Sequence, residues 1–259
     1  MYTHNKSIEM RPQNIRKLVI SDIHGCLDEF NFILSKCKYD PTSDQLILLG
    51  DYVDRGLKSK QVVEQVMDFK NNHNAIVLKG NHDDMMVAAL KHDDESYDAQ
   101  WLNNGGFTTL ISYIGGDYFE EGFEWDKYIE VKEYIRKHYQ HHINFLDSLP
   151  LYYEDNHHIY VHAGINSLLN NWKNTSDDDF IWVREQFFRN STGLNNKVIF
   201  GHTPAIHLHG SADIWFDPKG DKIGIDGACA YGKQLNLLEI TEEGLYIQHN
   251  VHKGESYEN

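Results

Sequence analysis

Three short apolar runs in the first eighty residues each end in a cluster of polar and charged residues. The runs occupy residues 17–20, 46–49 and 75–78, and the clusters that follow them have the sequences S-D-I-H-G, G-D-Y-V-D-R-G and K-G-N-H-D. Short apolar runs with such boundaries are typical of buried strands. Open α/β sheets bind their ligands beside the carboxyl ends of their strands. The pattern therefore predicts one site where the three strands end.

The segments between these strands show the three- and four-residue spacing of amphipathic helices. Apolar residues at this spacing cover 27–37, 62–69 and 85–90, and Ser59 is a candidate N-cap for the second helix. Strands and helices thus alternate through the first ninety residues. Such alternation predicts a parallel sheet with right-handed crossovers.

The remainder of the chain divides into a helical part and a part rich in strands. Residues 91–149 carry many charged and aromatic side chains and end before Pro150. They predict either a helical insertion packed beside the site or an ordinary helical connection. From residue 151 the apolar runs are short again and predict a largely antiparallel arrangement. These predicted strands lie at 159–161, 197–200, 214–216, 223–225, 235–238 and 245–247.

Composition narrows the class of protein. The chain has 259 residues, 41% hydrophobic and 24% charged, which suits one domain spanning 1–259 with a full core. Its formal net charge of −15 argues against nucleic acid as a partner, because such binding needs clustered Lys and Arg. No run approaches the roughly 18 apolar residues of a membrane span. Three cysteines, and a polar segment at 1–14 without the apolar core of a signal peptide, favour the cytoplasm.

Six side chains at predicted strand ends are candidate metal ligands. They offer carboxylate or amide oxygen and imidazole nitrogen, and none offers thiolate, a combination that suits Mn, Fe or Zn. Six ligands are too many for one tetrahedral ion and suit two ions completed by water. We therefore expect two divalent metal ions, Mn²⁺ first, with Fe or Zn as alternatives. The candidate ligands are Asp22, His24, Asp51, Asn81, His162 and His202.

The motifs D-x-H-G, G-D-x-x-D-R-G and G-N-H-D, in this order, resemble those of the calcineurin-like metallophosphoesterases. The ending Asp54-Arg55-Gly56 is similar to that of their phosphoprotein phosphatase branch. The resemblance extends from about Lys17 to Leu238. It implies an α/β fold of the metallophosphatase type, a double β-sheet sandwich flanked by helices (α/β/β/α), in which 91–149 is a helical insertion near the site.

The resemblance also implies how the six ligands divide between two ions. Asp22, His24 and Asp51 would hold one ion. Asn81, His162 and His202 would hold the other ion together with Asp51, which would bridge the two. A water shared by two such cations becomes hydroxide near neutral pH. It would then attack a phosphorus bound across the same ions, in line with the leaving oxygen.

Four further residues acquire catalytic roles from the same resemblance. His82 would give a proton to the leaving alkoxide, and Asp54 would orient His82. Arg55 and Arg184 would clamp the phosphoryl oxygens, because a guanidinium matches their geometry with two parallel hydrogen bonds. For Arg184, a structural ion pair with a glutamate is the alternative.

Other residues near these motifs receive a structural interpretation. Trp101, Phe107 and Tyr113 are expected in the core rather than in a substrate platform, and Cys26 is expected to be a small packing residue. The segment Asp226-Gly227-Ala228 departs from the D-T-G that is common in related bacterial enzymes, and it is given no role. Six histidines without a surrounding motif are expected to be solvated: His141, His142, His157, His158, His207 and His209. Of the adjacent pair His157-His158, which lies in a predicted strand, one side chain is expected to point inward and the other outward.

Three functions remain in competition. The first is a serine/threonine protein phosphatase that hydrolyses phosphomonoesters. The second is a dinucleoside polyphosphate hydrolase, acting for instance on diadenosine tetraphosphate. It is favoured by the segment 91–149 and by Asp83, where eukaryotic protein phosphatases usually have Glu. The third, a phosphate-binding protein without catalysis, is disfavoured because no expected ligand or catalytic position is missing. The expected partner is thus a phosphorylated protein or a small phosphoester or nucleotide.

Overall fold

In the computed structural model, which describes residues 15–255, ten strands form two five-stranded sheets. The polar segment at 1–14 lies outside the described residues. The strands are β1 (Lys17–Ile20), β2 (Gln45–Leu48), β3 (Ile76–Val77), β4 (Tyr152–Glu154), β5 (His158–Val161), β6 (Lys197–Phe200), β7 (Trp215–Phe216), β8 (Lys222–Gly224), β9 (Gln234–Ile240) and β10 (Tyr246–His252).

The first sheet has the strand order β10-β9-β1-β2-β3. Strands β1, β2 and β3 are parallel, with Lys17 opposite Gln45 and Ile47 opposite Ile76. The alternating pattern predicted this arrangement, and the parallel sheet is confirmed. Strand β9 runs antiparallel to β1 and pairs with β10. The carboxyl ends of β1, β2 and β3 therefore meet at one edge.

The second sheet has the order β4-β5-β6-β8-β7. Its three central strands, β5, β6 and β8, are parallel, whereas β4 and β7 pair antiparallel at the edges. The prediction of a largely antiparallel second half is therefore wrong for this sheet. The connections 162–196 and 201–221 are long enough for the crossovers of a dozen or more residues that parallel strands need.

Ten α-helices occur in the described part of the chain, and none of them is long and apolar enough to span a membrane. The second helix begins at Ser59, and Lys58 occupies the N-cap position, so the predicted N-cap is wrong by one residue. The Ser59 hydroxyl instead accepts a hydrogen bond from the backbone N–H of Asp54 at 3.1 Å. The helices are α1 (Leu27–Lys36), α2 (Ser59–Asn72), α3 (Asn81–Lys91), α4 (Glu95–Trp101), α5 (Phe107–Ile114), α6 (Trp125–His138), α7 (Gln140–Asp147), α8 (Asp177–Trp182), α9 (Glu185–Phe188) and α10 (Ile206–His209).

Apolar side chains of the two sheets form a shared central core. Val19, Leu49, Tyr160, Ile199 and Leu238 belong to it, and each is fully buried. Burying one such aliphatic side chain contributes about 1.5–3 kcal/mol. Separate apolar clusters join α1, α2 and α3 to the first sheet and α8 and α9 to the second. The layers are thus helix, sheet, sheet and helix, and the fold class implied by the resemblance is confirmed.

The segment 91–149 forms four helices, α4 to α7, which pack on the helices of the first sheet. Helix α5 contacts α2, and α7 contacts α3. Trp101 is fully buried and Tyr113 nearly so, while Phe107 is partly buried against the same core. These three aromatic residues lie in the core, as expected.

Candidate dinuclear metal centre

The predicted ligands come together between the two sheets. Asp22 and His24 follow β1, Asp51 follows β2 and Asn81 follows β3. From the second sheet, His162 follows β5 and His202 follows β6. All six side chains are at most 5% exposed. Strand ends of both sheets therefore build one buried site, as the apolar runs predicted.

Asp51 is the central residue of this site. Its Oδ2 lies 3.3 Å from Nε2 of His24, and its Oδ1 lies 3.5 Å from Nε2 of His162. This carboxylate belongs to two groups of potential metal ligands. The first group also contains His24 and His82, and the second also contains His162 and His202. Within each group, the potential ligand atoms lie within 4.8 Å of one another. Burial opposes ionisation of Asp51, but His162, His82 and His24 bring its pKa well below the usual value. A charged carboxylate between two groups of imidazoles suits a ligand shared by two cations.

Backbone carbonyl groups orient two of the imidazoles. Nδ1 of His24 lies 2.7 Å from the carbonyl oxygen of Val53, and Nδ1 of His162 lies 2.9 Å from that of Leu49. Each Nδ1–H can donate to its carbonyl, which fixes the ring and leaves Nε2 facing Asp51. Metal-binding histidines are usually fixed in this way.

His202 provides a direct test of whether a metal fits. Among the residues that the structure describes, its buried Nε2 has no hydrogen-bond partner. Burial, His162 and Arg184 lower the pKa of His202 well below the usual value, so the ring is neutral at physiological pH. An unpaired buried nitrogen costs about 1–3 kcal/mol. A bound cation would satisfy this nitrogen, and the site therefore fits a metal with nitrogen and oxygen ligands.

Asp22 connects the ends of the two sheets. Its carboxylate accepts from the backbone N–H of His202, at 3.0 Å to Oδ2, and from the Ser21 hydroxyl. A Cβ atom at Gly201 would lie 1.9 Å from Oγ of Ser21 and 2.2 Å from Oδ2 of Asp22, so only glycine allows this approach. Asp22 belongs to neither of the two clusters around Asp51.

Four of the six predicted ligands adopt the left-handed backbone conformation, with φ of 53° at Asp22, 45° at His24, 59° at Asp51 and 60° at His202. Each such non-glycine residue costs about 1–3 kcal/mol and persists only when surrounding contacts hold it. Strain of this kind concentrates at functional sites. The turns after the strands are therefore shaped for the site rather than for stability.

The predicted proton donor contacts its predicted partner. Nδ1 of His82 lies 2.7 Å from Oδ2 of Asp54. The other oxygen of Asp54 accepts from Nε1 of Trp101 at 2.9 Å and from Oγ1 of Thr109 at 2.8 Å. Sequence analysis missed both contacts, because a buried indole is usually core. The usable signal was the sequence W-L-N-N-G-G, whose last glycine, Gly106, lies against that indole.

Both predicted arginines lie at the site. Nη1 of Arg55 contacts Nε2 of His24 at 2.5 Å, and its Nη2 lies 2.7 Å from Nε2 of His82. Arg184 donates to the carbonyl oxygen of His202 at 3.0 Å.

The glutamate next to Arg184 in the sequence pairs elsewhere. Oε2 of Glu185 lies 3.1 Å from Nη2 of Arg189, one helical turn further on. The ion pair that was the structural alternative for Arg184 is therefore taken by another arginine.

Asp83 fixes the backbone of the site. Its carboxylate accepts from the N–H groups of Asp51 (2.9 Å), Tyr52 (3.0 Å) and Gly80 (2.9 Å). Burial and the Asp51 charge raise the pKa of Asp83 to about 8, although these N–H groups act in the opposite direction. Because these contacts are with the backbone, they do not distinguish a protein substrate from a nucleotide.

A cavity of about 430 Å³ opens beside the candidate ligands. Arg55, Arg184 and His202 form part of its lining. Tyr231 is 61% exposed, and its ring lies over the Arg55 guanidinium, with 4.8 Å between Cζ and the ring centroid. The other lining residues are Pro204, Ile206, His207, Asp226, Ala228 and Lys233.

The loop that carries Tyr231 accounts for one of the two departures from D-T-G, the glycine in place of threonine at position 227. A Cβ atom at Gly227 would lie 2.3 Å from the carbonyl oxygen of Gln234, so a larger residue does not fit. Ala228 has a φ of 57°, a conformation that glycine adopts more easily. Burial and the Asp22 charge raise the pKa of Asp226 to about 8.

Two of the six histidines expected to be solvated are buried. Nδ1 of His142 lies 2.9 Å from the hydroxyl of Tyr113, and Nε2 of His158 lies 2.8 Å from the hydroxyl of Tyr246. The expectation of a solvated side chain is wrong for His142, which is buried against a tyrosine from a distant element. For the pair His157-His158, the expectation that one side chain points inward is confirmed, since His158 is buried and His157 is exposed. The remaining four are exposed: His141, His157, His207 and His209. Cys26 is buried, as expected of a packing residue.

Comparison with known proteins agrees with this geometry. The profile of the family described as calcineurin-like phosphoesterase matches residues 15–237. The chain belongs to the calcineurin-like phosphoesterase family. That match covers every predicted ligand and every predicted catalytic residue.

Named relatives within this phosphoesterase family differ in substrate. The symmetrical bis(5'-nucleosyl)-tetraphosphatase of Actinobacillus pleuropneumoniae serotype 3 (strain JL03) is 44% identical over 72 residues, which are 28% of this chain and 26% of that protein. This chain thus matches about a quarter of that relative's length. Serine/threonine-protein phosphatase 1 of Salmonella typhimurium (strain LT2) is 25% identical over 227 residues, 86% of this chain and 90% of that protein.

A solved structure supports the fold. The structure of a protein serine/threonine phosphatase from Saccharomyces cerevisiae has a TM-score of 0.59 and 15% identity, and the match covers 95% of this chain and 82% of that one. At that identity the similarity concerns the architecture of the two sheets and not the substrate.

Proposed function

We propose that this chain is a metal-dependent hydrolase of phosphomonoesters, and that its substrate is a phosphorylated serine or threonine of a protein. The observation that carries the proposal is the position of Asp51, whose two carboxylate oxygens face Nε2 of His24 and Nε2 of His162. The His82–Asp54 pair and two arginines lie beside it. Membership of the phosphoesterase family supports the reaction class.

The six predicted ligands would hold two divalent ions, with Mn²⁺ expected and Fe or Zn as alternatives. When bound, the ions would supply an activated water and offset the charge of the phosphoryl group. Arg55 and Arg184 line the same cavity, where their N–H groups would bind the phosphoryl oxygens. Their charges would stabilise the negative charge that grows on those oxygens in the transition state.

In the proposed reaction, His82 gives a proton from Nε2 to the leaving oxygen. Nδ1 is engaged by Asp54, and Nε2 lies 2.7 Å from Nη2 of Arg55, on the side where the phosphoryl group would bind. Burial lowers the pKa of His82 below its ordinary value, although the carboxylates of Asp51 and Asp54 act in the opposite direction. The negative phosphoryl group bound beside Nε2 would favour the charged imidazole that a proton donor requires.

The extent of similarity to named relatives does not separate the two substrate classes. The match to the Salmonella protein phosphatase spans 86% of this chain, and the match to the asymmetrical bis(5'-nucleosyl)-tetraphosphatase PrpE of Anoxybacillus flavithermus, at 24% identity, also spans 86%. A protein substrate is favoured by the motif at 50–56, whose ending resembles that of the phosphoprotein phosphatase branch. A single domain and a cytoplasmic location stay predictions.

A dinucleoside polyphosphate is the second candidate substrate, and the cavity favours it. Its volume, about 430 Å³, lies within the range of roughly 300–1,000 Å³ that is common for small-molecule sites. Tyr231 and Lys233 on its rim could contact a base and a phosphate respectively. Aromatic rings that are partly exposed commonly stack on planar ligands.

The deciding experiment compares two substrates on the same Mn²⁺-loaded protein. A phosphoserine peptide and diadenosine tetraphosphate would be supplied at equal concentration and pH. A peptide rate more than tenfold higher supports the protein phosphatase, and a higher dinucleotide rate replaces it with the second candidate. Metal binding without turnover of either substrate, or of p-nitrophenyl phosphate, would show a protein that only binds phosphate.

A further inference from the structure

We propose that Trp101 and Thr109 are positioning residues for proton donation, because they fix the Asp54 carboxylate that orients His82. The inference rests on the proposed function, in which His82 protonates the leaving group. It assigns a role in the reaction to the segment 91–149, which would otherwise be a helical connection.

The two oxygens of Asp54 have separate partners. Oδ1 accepts from Nε1 of Trp101 at 2.9 Å and from Oγ1 of Thr109 at 2.8 Å, and Oδ2 faces Nδ1 of His82 at 2.7 Å. Asp54, Trp101 and Thr109 are fully buried, and His82 is 2% exposed. Water is thus excluded from this chain of contacts, and each hydrogen bond is correspondingly strong.

Two donors on one oxygen fix the orientation of the Asp54 carboxylate. An indole N–H can donate but cannot accept, so the atom opposite Trp101 must be an acceptor. The Thr109 hydroxyl donates to the same oxygen, and it accepts from the backbone N–H of Asp54 at 2.8 Å. Oδ1 is therefore held from two directions, which turns Oδ2 towards the imidazole.

The turn between α4 and α5 is built to hold this arrangement. A Cβ atom at Gly106 would lie 2.8 Å from the ring atoms of Trp101, so glycine lets the chain pass over the indole. Gly105 has a φ of 103°, and its carbonyl oxygen accepts from the backbone N–H of Arg55 at 3.2 Å. One turn of the segment thus contacts both Asp54 and Arg55.

A positioning role predicts a dependence on the leaving group. The oxygen of phenyl phosphate needs a proton as it leaves, whereas nitrophenolate leaves readily without one. General acid catalysis contributes about 10²–10⁴-fold when it is needed. Loss of the alignment of His82 should therefore slow phenyl phosphate far more than p-nitrophenyl phosphate.

The test measures kcat on both esters for Trp101→Phe, which keeps an aromatic ring and removes the N–H donor. We expect the ratio of kcat on phenyl phosphate to kcat on p-nitrophenyl phosphate to fall about tenfold or more. His82→Asn, which removes the proton donor, should lower the same ratio. Thr109→Val should lower the ratio, and Thr109→Ser, which keeps the hydroxyl, should restore it. Trp125→Phe is the matched control, because Trp125 lies partly exposed on α6, and its ratio should equal that of the wild type.

Metal content and thermal unfolding, measured on each variant, separate a positioning role from a structural one. An equal loss on both esters would overturn the proposal, because a damaged fold or lost metal slows both reactions alike. If Trp101→Phe does not fold, the comparison of Thr109→Val with Thr109→Ser decides. Failure of the Mn²⁺-loaded wild type on both esters would instead contradict the proposed function.

Discussion

Oδ1 of Asp51 lies 3.5 Å from Nε2 of His162, so the ends of the two β-sheets meet at one carboxylate. Asp51→Asn keeps the shape of this side chain and removes its charge. We expect bound metal to be lost and the rate on p-nitrophenyl phosphate to fall by about 10²–10³-fold or more, as when other charge-stabilising groups are removed from active sites. Metal analysis after dialysis against Mn²⁺, together with the rate, measures both effects.

Asp68→Asn is the control for this prediction. Asp68 is exposed on α2 and pairs with His73, away from the predicted ligands. Its metal content and rate should match those of the wild type. Full metal content with full activity in Asp51→Asn would contradict a shared ligand at this position.

Arg184 should contribute to phosphoryl binding. It lines the cavity with Arg55 and also holds the turn at His202. Arg184→Lys keeps the charge and loses the forked geometry. We expect inhibition by inorganic phosphate to weaken about tenfold, equivalent to about 1.4 kcal/mol. Arg189→Lys, on the exposed face of the same region, is the control and should leave the inhibition constant for phosphate unchanged. If Arg184→Lys also leaves this constant unchanged, Arg184 has a structural role only.

The strand ends were predictable because they combine a short apolar run with an abrupt polar cluster. Residues 17–20 and 46–49 correspond to β1 and β2 within one residue, and Asp22 and Asp51 follow them as expected. Strand direction in the second half was not predictable in this way. An apolar run does not encode whether its neighbour is parallel. The pairs β5–β6 and β6–β8 are parallel, and the long connections between these strands permit that arrangement without requiring it.

The partners of Asp54 show what local patterns omit. Trp101 and Thr109 lie 47 and 55 positions further along the chain. The residues around each of them show no pattern that distinguishes it from an ordinary core residue. The same limit explains His142 and His158, whose tyrosine partners lie on other elements. Polar contacts between distant elements depend on the packing of the whole fold, which spacing alone does not reveal.

Tyr231 should discriminate between substrates. Its ring covers the Arg55 guanidinium and borders the cavity, so a planar leaving group could stack on its exposed face. If the dinucleotide is the substrate, Tyr231→Ala should lower kcat/KM for diadenosine tetraphosphate about tenfold, since stacking on an aromatic side chain contributes about 1–3 kcal/mol per base. The rate on a phosphoserine peptide should change much less.

Tyr231→Phe is the control for stacking, because it keeps the ring and removes only the hydroxyl. It should behave as the wild type on both substrates. Equal losses on peptide and dinucleotide in Tyr231→Ala would show that the ring supports Arg55 and does not bind a base.

His142 should make stability depend on pH. Burial, His141 and Lys60 lower the pKa of His142 to about 4, compared with about 6.5 for an ordinary histidine. Between these values the unfolded chain binds more protons than the folded one, so the free energy of unfolding should rise with pH through this window. His142→Gln cannot titrate, and it should flatten that part of the curve measured by urea unfolding at several pH values. The exposed His157→Gln should retain the wild-type slope, and an unchanged slope in His142→Gln would show that this buried imidazole does not control acid stability.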